Sequence, residues 1–249
     1  SPCVIRISTG DILFAGVNTI LGDVHICTAR YSAGTGHYKP SYARYDVGLP
    51  GYVYDDRDGW SWVAEAVSGD DATDLSNPCL LELESGRLLL FFTSLQVYKA
   101  AAQYYAVGCA YSDDGGSTWT VQTFDTGARI DSTNTPFQLQ AVYSGGYVTL
   151  ILVHDGGGSS SVMLHYYSAD DGVTFNEIDE SASVSVKWSP QIVACDDNTI
   201  LLLFIKGGSG KLTIARQYGP AMAFTDENEI IPSGASVNPF REFYNCMAV

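Results

Sequence analysis

The stretch "YSDDGGSTW", Tyr111 to Trp119, crowds aspartates, glycines and hydroxyls into one short run and ends on a tryptophan. It reads either as a catalytic or metal-binding loop or as a closely specified turn. A second stretch, "SADDGVTF" at residues 168–175, decides between them. Both fit Ser-x-Asp-x-Gly-x-Thr followed by an aromatic residue. The first copy has Ser112, Asp114, Gly116, Thr118 and Trp119; the second has Ser168, Asp170, Gly172, Thr174 and Phe175. An Asp carboxylate accepts hydrogen bonds from nearby backbone N–H groups and closes a turn. Gly supplies a backbone angle that other residues resist. Ser and Thr hydroxyls satisfy further polar groups, and the aromatic buries apolar area. None of these roles needs a substrate.

The copies are in step with a longer repeat. Short apolar or alternating runs of about four to eight residues dominate the chain, separated by Gly, Asp, Ser and Asn, and helical periodicity is nearly absent. Segments opening on a small or polar residue and a proline recur at Pro2, Pro78, Pro136, Pro190 and Pro239, spaced by 76, 58, 54 and 49 residues. Ser112 and Ser168 are 56 residues apart, within that period. After each of the first four prolines the pattern predicts strand, turn, strand, then a third and a fourth strand. Repeats of about 40–50 residues with four strands each are what propeller blades require. The long first spacing predicts an insertion over residues 33–56, rich in Gly, Pro and Tyr. The expected fold is all-β: a β-propeller of four-stranded antiparallel blades at about 1–68, 77–126, 134–180 and 189–232, with the leading strand of a further blade at 236–249.

The turn motif resembles the Asp-box, or bacterial neuraminidase repeat, of the sialidase-like β-propellers. Two copies in register with an independent strand repeat make the resemblance specific to the fold. "YSAGTGHYK" and "DDRDGWSW" are eroded copies, with Gly34 and Arg57 where the Asp stands; the fourth repeat keeps only the aromatic, Phe224. The resemblance implies that the boxes, after the third strands, lie on one face, and that the other face carries any active site. The loops after second strands and between blades share that face. They contribute Asn18, Asp23, Asp74, Asn77, Tyr98, Lys99, Asn134, His154, Asp155, Trp188 and Lys206 as candidate ligand-binding residues, a polar and aromatic set of the kind carbohydrate binding requires. Each is equally a solvated loop residue.

A sialidase also needs an arginine triad for the substrate carboxylate, because bidentate guanidinium forks suit carboxylates, with an Asp acid/base and a Tyr–Glu nucleophile pair. Aligning the family's opening Arg-Ile-Pro on Pro2 places that arginine before Ser1. Ser189 stands where a family glutamate sits, and Lys206 matches a second arginine best. The family's catalytic set is not visible, and no catalytic residue is assigned.

Other chemistry finds less support. Nearly half of the 249 residues are apolar, only 16% are charged, and the net charge is −15. An acidic surface repels nucleic-acid phosphates and anionic lipid, so neither is an expected partner. No apolar run reaches the length of a membrane span. The six cysteines contain no CxxC pair and sit mostly in apolar runs, which reads as buried free thiols. The four histidines lack metal-ligand spacing, and the calcium-loop pattern at residues 54–65 has Tyr54 at its first position. No metal or cofactor is expected. "GGSGK" at 207–211 lacks phosphate-loop spacing. Neither a signal peptide nor an initiator Met is present, which suggests a processed chain or an excised segment. The expectation is a non-hydrolytic carbohydrate-binding or structural propeller, extracellular or on a virion surface, with a glycan or other subunits of an assembly as partners. The alternatives are a glycosidase whose catalytic groups lie partly outside these residues, and a purely structural module.

Overall fold

The computed structural model describes residues 3–20, 23–31, 60–67, 73–98, 102–122, 130–131, 136–155, 161–178, 186–195, 197–206, 209–219 and 221–230. Every regular element among them is a strand. The first sheet runs in order through β1 (Cys3–Arg6), β2 (Ile12–Ile20), β3 (Asp23–Tyr31) and β4 (Trp60–Val67). The second runs through β5 (Thr73–Glu82), β6 (Leu88–Tyr98), β7 (Ala102–Ser112) and β8 (Thr120–Gln122). A short β9 (Ile130–Asp131) pairs with β7 through Tyr104 and Tyr105, while β8 pairs with it through Cys109 to Tyr111. The third sheet is β10 (Pro136–Ser144), β11 (Tyr147–Asp155), β12 (Ser161–Ser168) and β13 (Asn176–Ile178). The fourth is β14 (Val186–Ala194), β15 (Ile200–Lys206), β16 (Leu212–Gln217) and β17 (Thr225–Glu229). The chain thus forms four meanders in sequence order, and the leading strand expected at 236–249 lies outside the described residues.

The sequence pattern explains the layering. Second strands carry continuous apolar runs where both faces are covered. Leu88 to Thr93 on β6 and Val148 to His154 on β11 are buried without a break. The chain divides into two compact units, Ser1–Phe92 with Cys109–Thr123, and Thr93–Gly108 with Phe124–Val249. In the first, Ile7, Leu13, Ile26, Leu75, Leu80, Leu88, Leu90 and Phe92 form one cluster, with Trp119 packed against it. In the second, Ile151, Val153, Met163, Ile200, Leu202, Phe204 and Phe224 form another.

The repeated prolines do not open every strand. Pro78 lies inside β5 and Pro190 inside β14, so those strands begin a few residues earlier than the Pro-led pattern suggests. Proline cannot donate to a ladder and is tolerated in strands at bulges. The register shifts between Trp188 and Gln191, around Pro190, and between Pro136 and Gln138. Beside Pro78, Asn77 adopts φ 52°, a left-handed conformation that Asn tolerates better than most residues. Two glutamines bridge the leading strands of the third and fourth sheets. Gln138 Nε2 donates to the Pro190 carbonyl at 2.6 Å, and Gln140 Oε1 accepts from Ile192 N at 2.9 Å.

Candidate functional site

Each meander has two ends, and the turns sort between them. The connections β1–β2, β5–β6 and β7–β8 fall at one end of their sheets; β2–β3 and β6–β7 fall at the other. The third and fourth sheets follow the same order.

The first end holds the acidic turns, and their carboxylates are committed. Asp114 Oδ1 accepts from Thr118 N at 2.8 Å and Oδ2 from the Thr118 hydroxyl at 2.7 Å, and the Ser112 hydroxyl donates to Oδ1 at 2.8 Å. Ser112 Oγ in turn accepts from Gly116 N at 2.8 Å. The second turn repeats this network. Asp170 accepts from Thr174 N at 2.8 Å and the Thr174 hydroxyl at 2.6 Å, and Ser168 bonds Asp170 and Gly172 N. Both serines are buried. Gly116 has φ 89°, and a Cβ there would sit 3.5 Å from Leu13 and Leu88 side-chain atoms, so the turn rests directly on the core. At the preceding position, Gly115 with φ 70° is matched by Asp171 with φ 57°, a residue that tolerates the left-handed region.

Hydrogen bonds to the charged form lower a carboxyl pKa. The Thr118 amide, then its hydroxyl, hold Asp114 at about 2. For Asp170, burial pushes upward, but the hydroxyl and amide of Thr174 together with Ser168 outweigh it, and the net direction is down. The neighbouring Asp113 is gripped by Arg87 through Nε at 2.7 Å and a second guanidinium nitrogen at 3.1 Å, and Arg87 stacks 4.7 Å over the Tyr111 ring. A cavity of about 90 Å³ also lies at this end of the third and fourth sheets, lined by Ser144, Gly145, Tyr147, Thr149, Asn198 and Ile200.

The other end of each meander carries its own candidate residues. Asn18 on β2 lies opposite His25 on β3, and Asp23 opens β3. Asp74 and Asn77 lie on β5, and Tyr98 ends β6. Asn77 is half-buried. In the third sheet His154 and Asp155 end β11, with His154 opposite Pro136 and Val162, and largely buried. In the fourth sheet Lys206 ends β15 opposite Val186, and Trp188 is opposite Ile205, one residue along. The structure therefore brings His154 and Asp155 together at one strand end, and Trp188 and Lys206 together at another. Lys99 and Asn134 lie outside the described residues. Among the described residues, no group of three or more His, Cys, Asp or Glu side chains could hold a metal ion.

Lys206 has a partner that the sequence does not announce. Its Nζ forms an ion pair with Glu227 of β17, whose carboxylate is mostly buried. Lys211, in the β15–β16 connection, pairs likewise with Glu229. Glu227 and Glu229 are the ion-pair partners that sequence reading misses. The alternation in "TDENE" is the available signal, since it puts both carboxylates on the same side of β17.

No protein-family model matches the chain, and no curated protein matches it. Solved structures do. A protein of unknown function from Dyadobacter fermentans superposes with a TM-score of 0.58 at 14% identity, over 92% of this chain and 68% of its own. An α-L-arabinanase of Penicillium chrysogenum complexed with arabinobiose gives 0.58 at 12%, over 93% and 66%. A Hadza microbial sialidase gives 0.54 at 12%, over 92% and 45%. The fold is a β-propeller. Each four-stranded meander is one blade. The chain spans about two thirds of the first two structures and under half of the third. At these identities the likeness concerns the fold alone.

Proposed function

We propose that this propeller binds a glycan, without hydrolysing it, through the loop ends of its blades. The observation that carries this reading is the ion pair between Lys206 and Glu227. Family resemblance puts a carboxylate-binding arginine at that position. A catalytic sialidase site needs a free guanidinium fork there, and Lys is a compact point charge without that planar geometry. Here its charge is already answered by a carboxylate from the same sheet. Recognition then falls to the other candidate residues, with Trp188 the residue type suited to stacking on a sugar ring and Asn77 and Asp155 the types suited to its hydroxyls. The two acidic turns are the Asp-boxes of this reading and serve the fold. An extracellular or virion-surface location, including a phage tail, suits the acidic, Tyr- and Gly-rich composition, and other subunits of such an assembly are the second class of partner.

A second reading draws on the neighbours. An arabinanase and a sialidase share the fold, and both act on sugars, which supports a glycosidase whose catalytic groups lie partly in sequence flanking residues 1–249. A panel of fluorogenic sialosides and arabinosides separates the two. We expect no turnover above buffer, together with saturable binding on a glycan array. Turnover by this chain overturns the non-hydrolytic reading. Neither turnover nor binding at high protein concentration favours a purely structural module.

A further inference from the structure

Two of the repeated prolines are each followed by a cysteine: Pro2 by Cys3 and Pro78 by Cys79. The third and fourth repeats have Phe137 and Gln191 at that position. The two cysteines therefore occupy the same place on the leading strands of consecutive blades. β1 packs alongside β5, and Cys3 Sγ accepts a hydrogen bond from Leu80 N, the amide following Cys79, at 3.2 Å. Cys3 is half-buried against the cluster containing Leu80, and Cys79 is 7% exposed. Neither is joined in a disulfide.

We propose that Cys3 and Cys79 are a reactive dithiol that a small disulfide oxidant, of the oxidised glutathione class, converts to a disulfide joining the first two blades. The side-chain hydrogen bond from Cys79 lowers the Cys3 pKa most strongly; burial opposes it, and the Leu80 and Val4 amides add to it. The thiolate is the attacking species, so Cys3, which is also the more accessible of the two, is the nucleophile. Its thiolate attacks one sulfur of oxidised glutathione, the S–S bond breaks, and one glutathione thiolate leaves. Cys79 then loses its proton and attacks Cys3 Sγ, and the second glutathione thiolate leaves. Two cysteine thiols are oxidised by two electrons in all, one glutathione disulfide is reduced to two thiols, and the protons are balanced by the solvent. Cys109 is the internal control: burial raises its pKa to about 12, and it is fully buried. This inference is independent of the glycan reading.

The experiment uses the full reduced chain, incubated with oxidised glutathione, quenched with an alkylating reagent, and read by intact mass and a non-reducing peptide map. We expect loss of two free thiols, a protein mass lower by about 2 Da before alkylation, and one linked peptide pair carrying Cys3 and Cys79. C3S abolishes the linkage. C79S stops the reaction at a glutathione adduct on Cys3, while C109S leaves the linkage intact. The crosslinked chain melts about 5–10 °C higher than the reduced chain, because a long loop is closed in the unfolded state, and dithiothreitol reverses the shift. Six unreacted thiols, a linkage between other cysteines, or an adduct that persists on Cys3 in the native sequence overturns the proposal. A linked form that melts at or below the reduced chain also overturns it, because the bond would then form only by distorting the strands.

Discussion

At the residue scale the decisive side chains are Asp114 and Asp170. Their carboxylates have the look of chemistry in the sequence, yet each is held by a Ser, a Thr hydroxyl and a Thr amide within its own turn. Asp114→Ala removes three acceptor contacts from a solvent-facing turn. We expect a fall in Tm of about 2–5 °C by differential scanning fluorimetry, with glycan binding unchanged. Lost binding at an unchanged Tm would place the turn in the ligand site. Acid sensitivity follows from the same contacts. A carboxyl whose pKa is lower folded than unfolded adds stability that is fully present above the unfolded value and is lost as pH falls through the folded one. For Asp114 that window runs from about pH 4 down to about 2. The native chain should lose Tm across it more steeply than the D114N/D170N double variant, measured over the same pH series. This part of the site was legible because every contact lies within seven residues of sequence, where turn chemistry is local.

At the element scale, strands are tied by side chains that sequence reading passes over. Gln138 and Gln140 look like ordinary polar positions on β10, but they satisfy the Pro190 carbonyl and the Ile192 amide on β14. The bulge at Pro190 disturbs the ladder there. We expect Gln140→Ala to leave the Ile192 amide without this acceptor and to cost about 1–3 kcal/mol in chemical denaturation. A change within error would show that water replaces the bond freely. Phe224 is what the fourth repeat retains of the turn motif. It is fully buried and stacks on His165 with ring centroids 4.9 Å apart. Phe224→Ala should destabilise by about 3–5 kcal/mol, since the cavity term adds to the lost transfer energy. The same denaturation assay reads it, and a loss below about 1 kcal/mol would mean the site collapses around the gap.

At the scale of the whole molecule, the four meanders and the superposition on solved structures establish a β-propeller fold. The proposed glycan binding is tested at the same scale, through the charge balance at Lys206. Glu227 is the lever. Glu227→Gln releases Lys206 from its ion pair and should raise affinity for acidic over neutral glycans on an array, by roughly tenfold for a partly exposed charge. An unaltered preference would show that Lys206 does not face the ligand. Much of the loop end could be proposed from the chain order, because antiparallel meanders must send alternate connections to opposite ends. The pairing of Lys206 with Glu227 could not, because its partner is 21 residues on and reaches it across an intervening strand.

The sequence by itself determined the repeat, the four-stranded blade and the role of "YSDDGGSTW" as a turn, because each depends on local periodicity or contacts inside one short segment. The tertiary structure alone decided which charges are answered and which thiols meet. Lys206 finds Glu227 across a sheet, and Cys3 comes beside Cys79 on a neighbouring leading strand. Both are long-range consequences of register, set by how whole strands pack and absent from any local pattern.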